Sequence, residues 1–349
     1  MEDVAPRLLA CLQRTLQERA LTYAEPPAVL AGGYDTAVYA FQLHGGPPEW
    51  SARLVLRVYR PDTQRRDLPR FEAAVHGCIA DAGLPVPRVL LVVDGASELE
   101  RPFLVMERAP GRNLVGWLAS PAVVRLPRWL AETQLALHAV PPATLERALA
   151  AAGIDAKPLR LDAELREVAR ALDTAALAGL RDGAAWLERQ RPAEASLAIC
   201  HGDFHPLNIL ADGRRVTGLI DWARVHVAEP EYDVGGTLTL IRDGPLRVPA
   251  LLEPLANAAR KLLCAAYLAD YRRRRPLDPA RLRWYQALRL MLFLVEEGVE
   301  QAAEVAGRSR SSKRSVLEEG AQQLRVAARF AALTGVRVTL PSGPTRSER

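Results

Sequence analysis

The stretch Cys200-His201-Gly202-Asp203-Phe204-His205-Pro206-Leu207-Asn208-Ile209-Leu210, followed by Gly218-Leu219-Ile220-Asp221-Trp222, constrains this chain more than any other. Residues 207–211 and 216–220 are mostly aliphatic or β-branched, and Asp212-Gly213 between them favours a tight turn. The two runs are therefore expected to pair as an antiparallel hairpin. Pairing brings the residues from Asp203 to Asn208 to the same open end as Asp221. One carboxylate to orient a hydroxyl, with an Asn amide and a second carboxylate as hard oxygen ligands for Mg²⁺, is the equipment phosphoryl transfer requires.

The intervals from Asp203 to Asn208 and from Asn208 to Asp221 match those of the protein-kinase catalytic loop and its metal-binding Asp. The surrounding residues resemble the aminoglycoside phosphotransferase and choline kinase family more closely. The loop opens His201-Gly202-Asp203, the metal Asp is followed by Trp222-Ala223, and Pro230-Glu231-Tyr232-Asp233 follows in place of an Ala-Pro-Glu segment. Leu207 departs from the Gly often found there. The resemblance covers most of the chain and implies an α+β, two-lobed protein-kinase-like fold. Its small β-rich N-lobe would take residues 1–108 and its larger, mostly helical C-lobe 109–340, with a disordered tail at 341–349.

The same resemblance implies roles. Asp203 would act on the acceptor hydroxyl, Asn208 and Asp221 would hold Mg²⁺ on ATP, and His201, His205 and Asp233 would support the loop. The acceptor would be a small hydroxyl compound of aminoglycoside, choline-like, amino-acid or sugar type. Two other readings stand beside this one. His201, Asp203 and His205 form an H-x-D-x-H cluster that suits a metal-dependent hydrolase, although the remaining histidines supply no second ligand motif. A catalytically silent, nucleotide-binding regulatory protein is disfavoured because Asp203, Asn208 and Asp221 are all present.

Upstream, Leu8, Leu9, Leu12 and Leu16 recur at helical spacing within residues 4–20. Residues 28–42 and 52–60 read as strands. Gly32-Gly33 would form either a plain hairpin turn or a point where backbone amides approach phosphates. In the second strand Leu54, Leu56 and Val58 fall on one face, and Val55, Arg57 and Tyr59 on the other. No Lys precedes Lys157, so Arg57 is the candidate phosphate-binding cation, the alternative being an exposed strand Arg. A helix begins near Asp67 and Pro69 and ends at Gly83 and Pro85. Its Glu72 is either the partner of Arg57 or a solvated surface residue. Pro102 to Gly111 reads as a strand entering a break. By resemblance this is the interlobe hinge, with backbone near Glu107 to Ala109 for adenine and Met106 flanking it.

From residue 113 onward helical patterns dominate, at 126–140, 144–152, 162–191, 249–273, 279–305 and 314–334, with the hairpin as the main β insertion. His138 reads as a packed or capping histidine, and Arg272 to Arg275 as a solvated helix end. Glu296, Glu297, Glu300 and Glu304 would form either an acidic wall for a cationic acceptor or a solvated face. Trp222, Trp284 and Tyr285 would either cage an ammonium group or pack in the core.

Composition sets the outer limits. A chain of 349 residues with 49% hydrophobic and 25% charged residues buries a large core. The net charge of +5 comes from scattered Arg residues with no basic, aromatic-interleaved patch, so no nucleic-acid partner is expected. Cys11, Cys78, Cys200 and Cys264 make neither a zinc pattern nor a disulfide framework. No segment reaches the about 20 apolar residues that span a bilayer. A cytoplasmic enzyme without a membrane partner is the expectation.

Overall fold

The computed structural model describes residues 4–30, 36–60, 67–95, 97–173, 175–244, 248–305 and 316–340. Gly32, Gly33 and the tail at 341–349 lie outside the described residues. The first elements along the chain are α1 (Val4–Leu16), β1 (Thr22–Val29), β2 (Thr36–His44), β3 (Arg53–Tyr59), α2 (Leu68–Asp81), β4 (Val89–Val93), β5 (Phe103–Glu107) and β6 (Arg112–Asn113). Next come α3 (Leu126–His138), α4 (Pro142–Ala151), α5 (Leu161–Leu172), α6 (Arg181–Arg189), β7 (Ala198–Cys200), β8 (Ile209–Ala211), β9 (Val216–Leu219) and β10 (His226–Ala228). Four helices close the order: α7 (Pro230–Asp243), α8 (Glu253–Arg272), α9 (Pro279–Val305) and α10 (Val316–Thr334). Among the described residues no helix is long and apolar enough to cross a membrane.

The chain forms two compact units that are discontinuous in sequence. The first comprises residues 1–121, 140–156 and 207–223, and the second 122–139, 157–206 and 224–349. The first unit is built on an antiparallel sheet of order β1-β2-β3-β5-β4. Strand β3 divides its side chains as the alternation predicts. Leu54, Leu56 and Val58 enter a core with Leu8 and Leu12 of α1 and Phe41 of β2. Val55 and Tyr59 enter a second cluster with Leu104 and Met106. Strand β1 starts six residues before the expected position and runs through Pro26-Pro27. It is an edge strand with two register shifts, so the missing proline N–H groups leave no ladder partner unsatisfied.

The predicted hairpin is present as β8 and β9, with Ile209 opposite Leu219 and Leu210 opposite Gly218. Asp212 Oδ1 accepts from the amides of Arg214 and Arg215 and closes the turn. Strand β6 extends this pair to a three-stranded sheet. Gly111, at φ +92°, is required here, because a Cβ would lie 2.2 Å from the Ala211 carbonyl oxygen.

In the second unit, a core of Trp284, Tyr285, Leu288 and Met291 of α9 packs with Leu187, Cys200 and Phe330. The single helix expected at 162–191 is broken into α5, a 3₁₀ segment Ala175–Leu180, and α6. The physical reason is a crossing strand of backbone: the Thr339 amide donates to the Gly179 carbonyl at 3.1 Å, and a Cβ at Gly179 would lie 2.4 Å from the Thr339 carbonyl oxygen. The break turns Leu177 and Leu180 fully into the core. Strands β7 and β10 pair as a further two-stranded sheet that the helical pattern does not reveal. Trp284 and Tyr285 in this unit, and Trp222 in the first, are core residues at 2%, 1% and 0% exposure, so the ammonium-cage alternative fails for all three.

Candidate active site

In the first unit the strand cation, the helix carboxylate and the Asp after β9 come together. Arg57 Nη2 donates to Asp221 Oδ1 at 2.8 Å and lies 3.3 Å from Glu72 Oε1. The Arg57 side chain is 11% exposed and that of Glu72 1%, which excludes both the exposed-strand and the solvated-surface alternatives. Burial works against the guanidinium, but the Glu72 and Asp221 charges hold it above its usual range. Burial likewise pushes the Glu72 carboxyl up to about 7, against the pull of Arg57. The buried Arg57 Nε has no hydrogen-bond partner among the described residues.

Asn208 and Asp221 flank the hairpin's open end, where the Ile220 amide donates to the Asn208 carbonyl at 3.1 Å. Asn208 is buried, whereas the Asp221 side chain is 41% exposed. Asp221 also has φ +68°, a left-handed conformation that few non-glycine residues adopt and that recurs at functional sites.

The residues expected at the hinge differ from one another. Met106 is buried beside Val55, its partner across the β3–β5 ladder. The Glu107 amide is committed to the Arg88 carbonyl at 2.9 Å, and that of Arg108 to the Arg53 carbonyl at 2.8 Å. Ala109, just beyond β5, makes no backbone hydrogen bond among the described residues. It packs on the hairpin where Gly218 leaves room: a Cβ there would stand 2.7 Å from the Ala109 methyl.

In the second unit the loop from His201 to Pro206 is held from below by α7. Asp233 accepts from the amides of His201 and Gly202, each at 3.0 Å. Thr237 Oγ1 donates to the Phe204 carbonyl at 2.8 Å. Gly202, at φ +78°, passes so close to the Arg224 carbonyl that a Cβ would overlap it at 1.8 Å. His138 is packed, as expected, between Asp233 Oδ2 at 3.2 Å and the Tyr271 hydroxyl at 2.6 Å. Burial opposes ionisation of Asp233, but His138, His201 and the backbone donors hold its carboxyl below the usual range.

Asp233→Ala is therefore expected to cost about 3–5 kcal/mol by orphaning two buried amides and His138. The folded pKa is depressed, so the charge-linked part of this stabilisation is present above the ordinary carboxylate range and lost as pH falls on through the lower folded value. Urea denaturation at pH 7 and across a falling series of pH values checks both the size and the decline of the difference.

Asp203 projects from the loop. His205 Nε2 contacts its Oδ2 at 3.2 Å, and Arg289 Nη2 of α9 donates to its Oδ1 at 3.2 Å. Burial raises the Asp203 pKa, but the His205 hydrogen bond and the His205, Arg289 and His201 charges outweigh it and hold the carboxyl well below its usual range. Among the described residues the loop histidines His201 and His205 join no three-ligand grouping. Among the described residues the three-ligand grouping is His138, Cys200 and Asp233, all buried, and both Asp233 oxygens already accept loop amides. Of the acidic residues on α9 left open between a wall and a solvated face, Glu296 accepts from Arg224 Nη1 at 2.6 Å, and Glu297 is buried with Gln323. Arg289 and Thr237 carry no motif that sequence reading could have used. Each is an ordinary helical residue until the loop docks on it.

A family model described as "Phosphotransferase enzyme family" matches residues 28–277. An aminoglycoside 3'-phosphotransferase of Streptomyces fradiae is 33% identical over 214 residues, which cover 57% of this chain and 75% of that protein. The crystal structure of an aminoglycoside-3'-phosphotransferase of type VIII is 25% identical, with TM-score 0.52, covering 80% of this chain and 97% of its own. A thermostable mutant aminoglycoside phosphotransferase, solved as a ternary complex with AMP-PNP and hygromycin B, has 18% identity and TM-score 0.63 over 95% of this chain and 100% of its own. Its likeness is one of fold, an α+β kinase-like fold shared with this chain. With the family model spanning well over half of its residues, the chain belongs to the phosphotransferase enzyme family.

Proposed function

We propose that this enzyme transfers the γ-phosphoryl group of Mg-ATP to a hydroxyl of a small acceptor. The observation that carries this reading is the convergence of Arg57, Glu72 and Asp221, with Asp221 Oδ1 2.8 Å from the guanidinium. A strand cation restrained by a helix carboxylate, beside an exposed carboxylate, is suited to gripping nucleotide phosphates and their metal. The relatives support the nucleotide: one was solved with AMP-PNP and hygromycin B.

The donor set fits magnesium. The Asn208 amide oxygen and Asp221 carboxylate are hard oxygen ligands, which suit Mg²⁺ and not zinc. The orphaned Arg57 Nε and the strained Asp221 backbone are the marks of a site that awaits a ligand. Bound Mg²⁺ supplies charge neutralisation on the phosphates. Arg57 reaches the phosphate oxygens with a guanidinium that stays charged at any working pH. The Ala109 amide is the uncommitted hinge group suited to adenine. Asp203 aligns the acceptor hydroxyl and takes its proton as the bond to phosphorus forms, with the His205 and Asp233 contacts fixing the loop. Positioning and charge neutralisation account for the catalysis, since phosphoryl transfer asks for little covalent help.

Nucleotide is expected to stabilise the protein only with magnesium present, by about 2.7 kcal/mol at one hundred times its dissociation constant. A thermal-shift series with ATP, with and without EDTA, measures this. Stabilisation by zinc and not by ATP would remove the phosphotransferase reading and restore the hydrolase one.

A further inference from the structure

Arg289 stands out among the cations of the second unit. Its side chain is only 16% exposed, and its Nη2 donates to Asp203 Oδ1 at 3.2 Å. Among the described residues this is its single hydrogen-bond partner, so most of the five donors of the guanidinium are unused. Three other carboxylates of the second unit each bond elsewhere. Glu296 accepts from Arg224 at 2.6 Å. Glu164 accepts from the Tyr232 hydroxyl at 3.0 Å and lies 3.7 Å from His226. Glu231 accepts from the Asp278 amide at 3.0 Å and lies 3.9 Å from Arg281.

No nitrogen of Arg289 is among the buried atoms left without a partner, so its remaining donors are open to a second anion beside Asp203. Asp203 is the carboxylate proposed to face the acceptor. The geometry points to an acceptor that is an alcohol carrying its own anionic group, with Arg289 binding that anion while Asp203 takes the hydroxyl. The inference rests on the reading of Asp203 given under the proposed function.

Hydrogen-bond reach limits the acceptor's shape. A hydroxyl within about 3 Å of an Asp203 oxygen and an anion within about 3 Å of an Arg289 nitrogen stand roughly 3–6 Å apart. That is the span of a hydroxyl one to three carbons from a carboxylate or phosphate. A forked donor set suits either anion. A polycationic acceptor would bring like charge against a fixed guanidinium at the reacting hydroxyl, where partial burial strengthens the repulsion. The incoming anion also competes with Asp203 for Arg289, which frees the carboxylate to accept the proton. The acceptor oxygen then forms its bond to the γ-phosphorus, the bond from that phosphorus to the bridging oxygen breaks, and ADP leaves with the electron pair.

The test is a ranking of kcat/KM for D-glycerate, 3-hydroxybutyrate, glycerol 3-phosphate, glycerol, choline and kanamycin, with wild type and Arg289→Gln, Arg289→Lys and Arg289→Glu. One of the three anionic probes is expected to exceed glycerol and both cations by tenfold or more. The carboxylate and phosphate arms identify which anion is used. Arg289→Gln should raise KM for that probe at least tenfold more than it raises KM for glycerol, Arg289→Lys should restore part of the loss, and Arg289→Glu should reverse the charge preference. Where turnover is too slow to follow, the same ranking is read from probe-induced thermal shifts with Mg-AMP-PNP bound.

Preference for kanamycin or choline, or equal treatment of all probes in both readouts, overturns the inference. So does an Arg289→Gln variant that lowers kcat equally for every acceptor at unchanged KM, which would make Arg289 a positioning residue for Asp203. Stabilisation by Mg-AMP-PNP in each variant keeps these outcomes separate from failure of the phosphotransferase reading, which would appear as no nucleotide binding by the wild type.

Discussion

Asp221→Ala is expected to abolish magnesium-dependent nucleotide turnover, a loss of roughly 10³-fold or more in kcat/KM. The substitution removes one of the two protein oxygen ligands proposed for Mg²⁺. It also removes the partner that Arg57 holds at 2.8 Å and leaves Glu72 alone against the guanidinium. Because the backbone at this position has φ +68°, alanine adds strain of its own. Asp221→Asn is the cleaner variant, since Asn tolerates the left-handed region and only the charge is lost. A coupled assay of ADP release, titrated with magnesium, measures both variants, and thermal melting shows whether they fold. Full activity in either folded variant would remove Asp221 from the metal site.

Asp203→Asn separates binding from chemistry. With the acceptor in place, kcat is expected to fall by roughly 10²–10⁴, while nucleotide affinity changes by less than about twofold. The side chain keeps its size and loses the charge that takes the proton. The wild-type carboxyl is held below its ordinary range by His205, Arg289 and His201 against the opposing effect of burial. This group therefore stays ionised as pH falls from 8 to 5, and its protonation should produce no acid limb in that interval. Loss of nucleotide binding in the variant, measured by fluorescence titration, would make Asp203 a metal or structural residue. A wild-type acid limb near pH 6 that vanished in Asp203→Asn would contradict the low pKa.

The β8–β9 hairpin was legible because each of its signals is local. Strand alternation, an Asp-Gly turn and the intervals from Asp203 to Asn208 and Asp221 depend on residues close in sequence. The two faces of β3 were legible for the same reason, and with them the isolation of Arg57 from the apolar trio. Whether Glu72 met Arg57 or met water was not legible from the sequence around it. Packing decided it, by enclosing the carboxylate completely.

The helix expected at 162–191 shows the opposite case. Its residues favour a helix by propensity, but the chain at Thr339 donates to Gly179 and forces the break that buries Leu177 and Leu180. Tertiary contacts override local preference when the core burial they allow exceeds the small propensity differences involved. Local sequence settles which residue types stand where along the chain: Asn208 and Asp221 at the two ends of a hairpin, and Arg57 on the non-apolar face of a strand. Tertiary packing decides the company these groups keep. Asp233 and Thr237 under the loop, and Arg289 against Asp203, come from helices far along the chain. No local pattern marks such residues, because a helical Arg reads alike whether it faces water or a carboxylate 86 residues away.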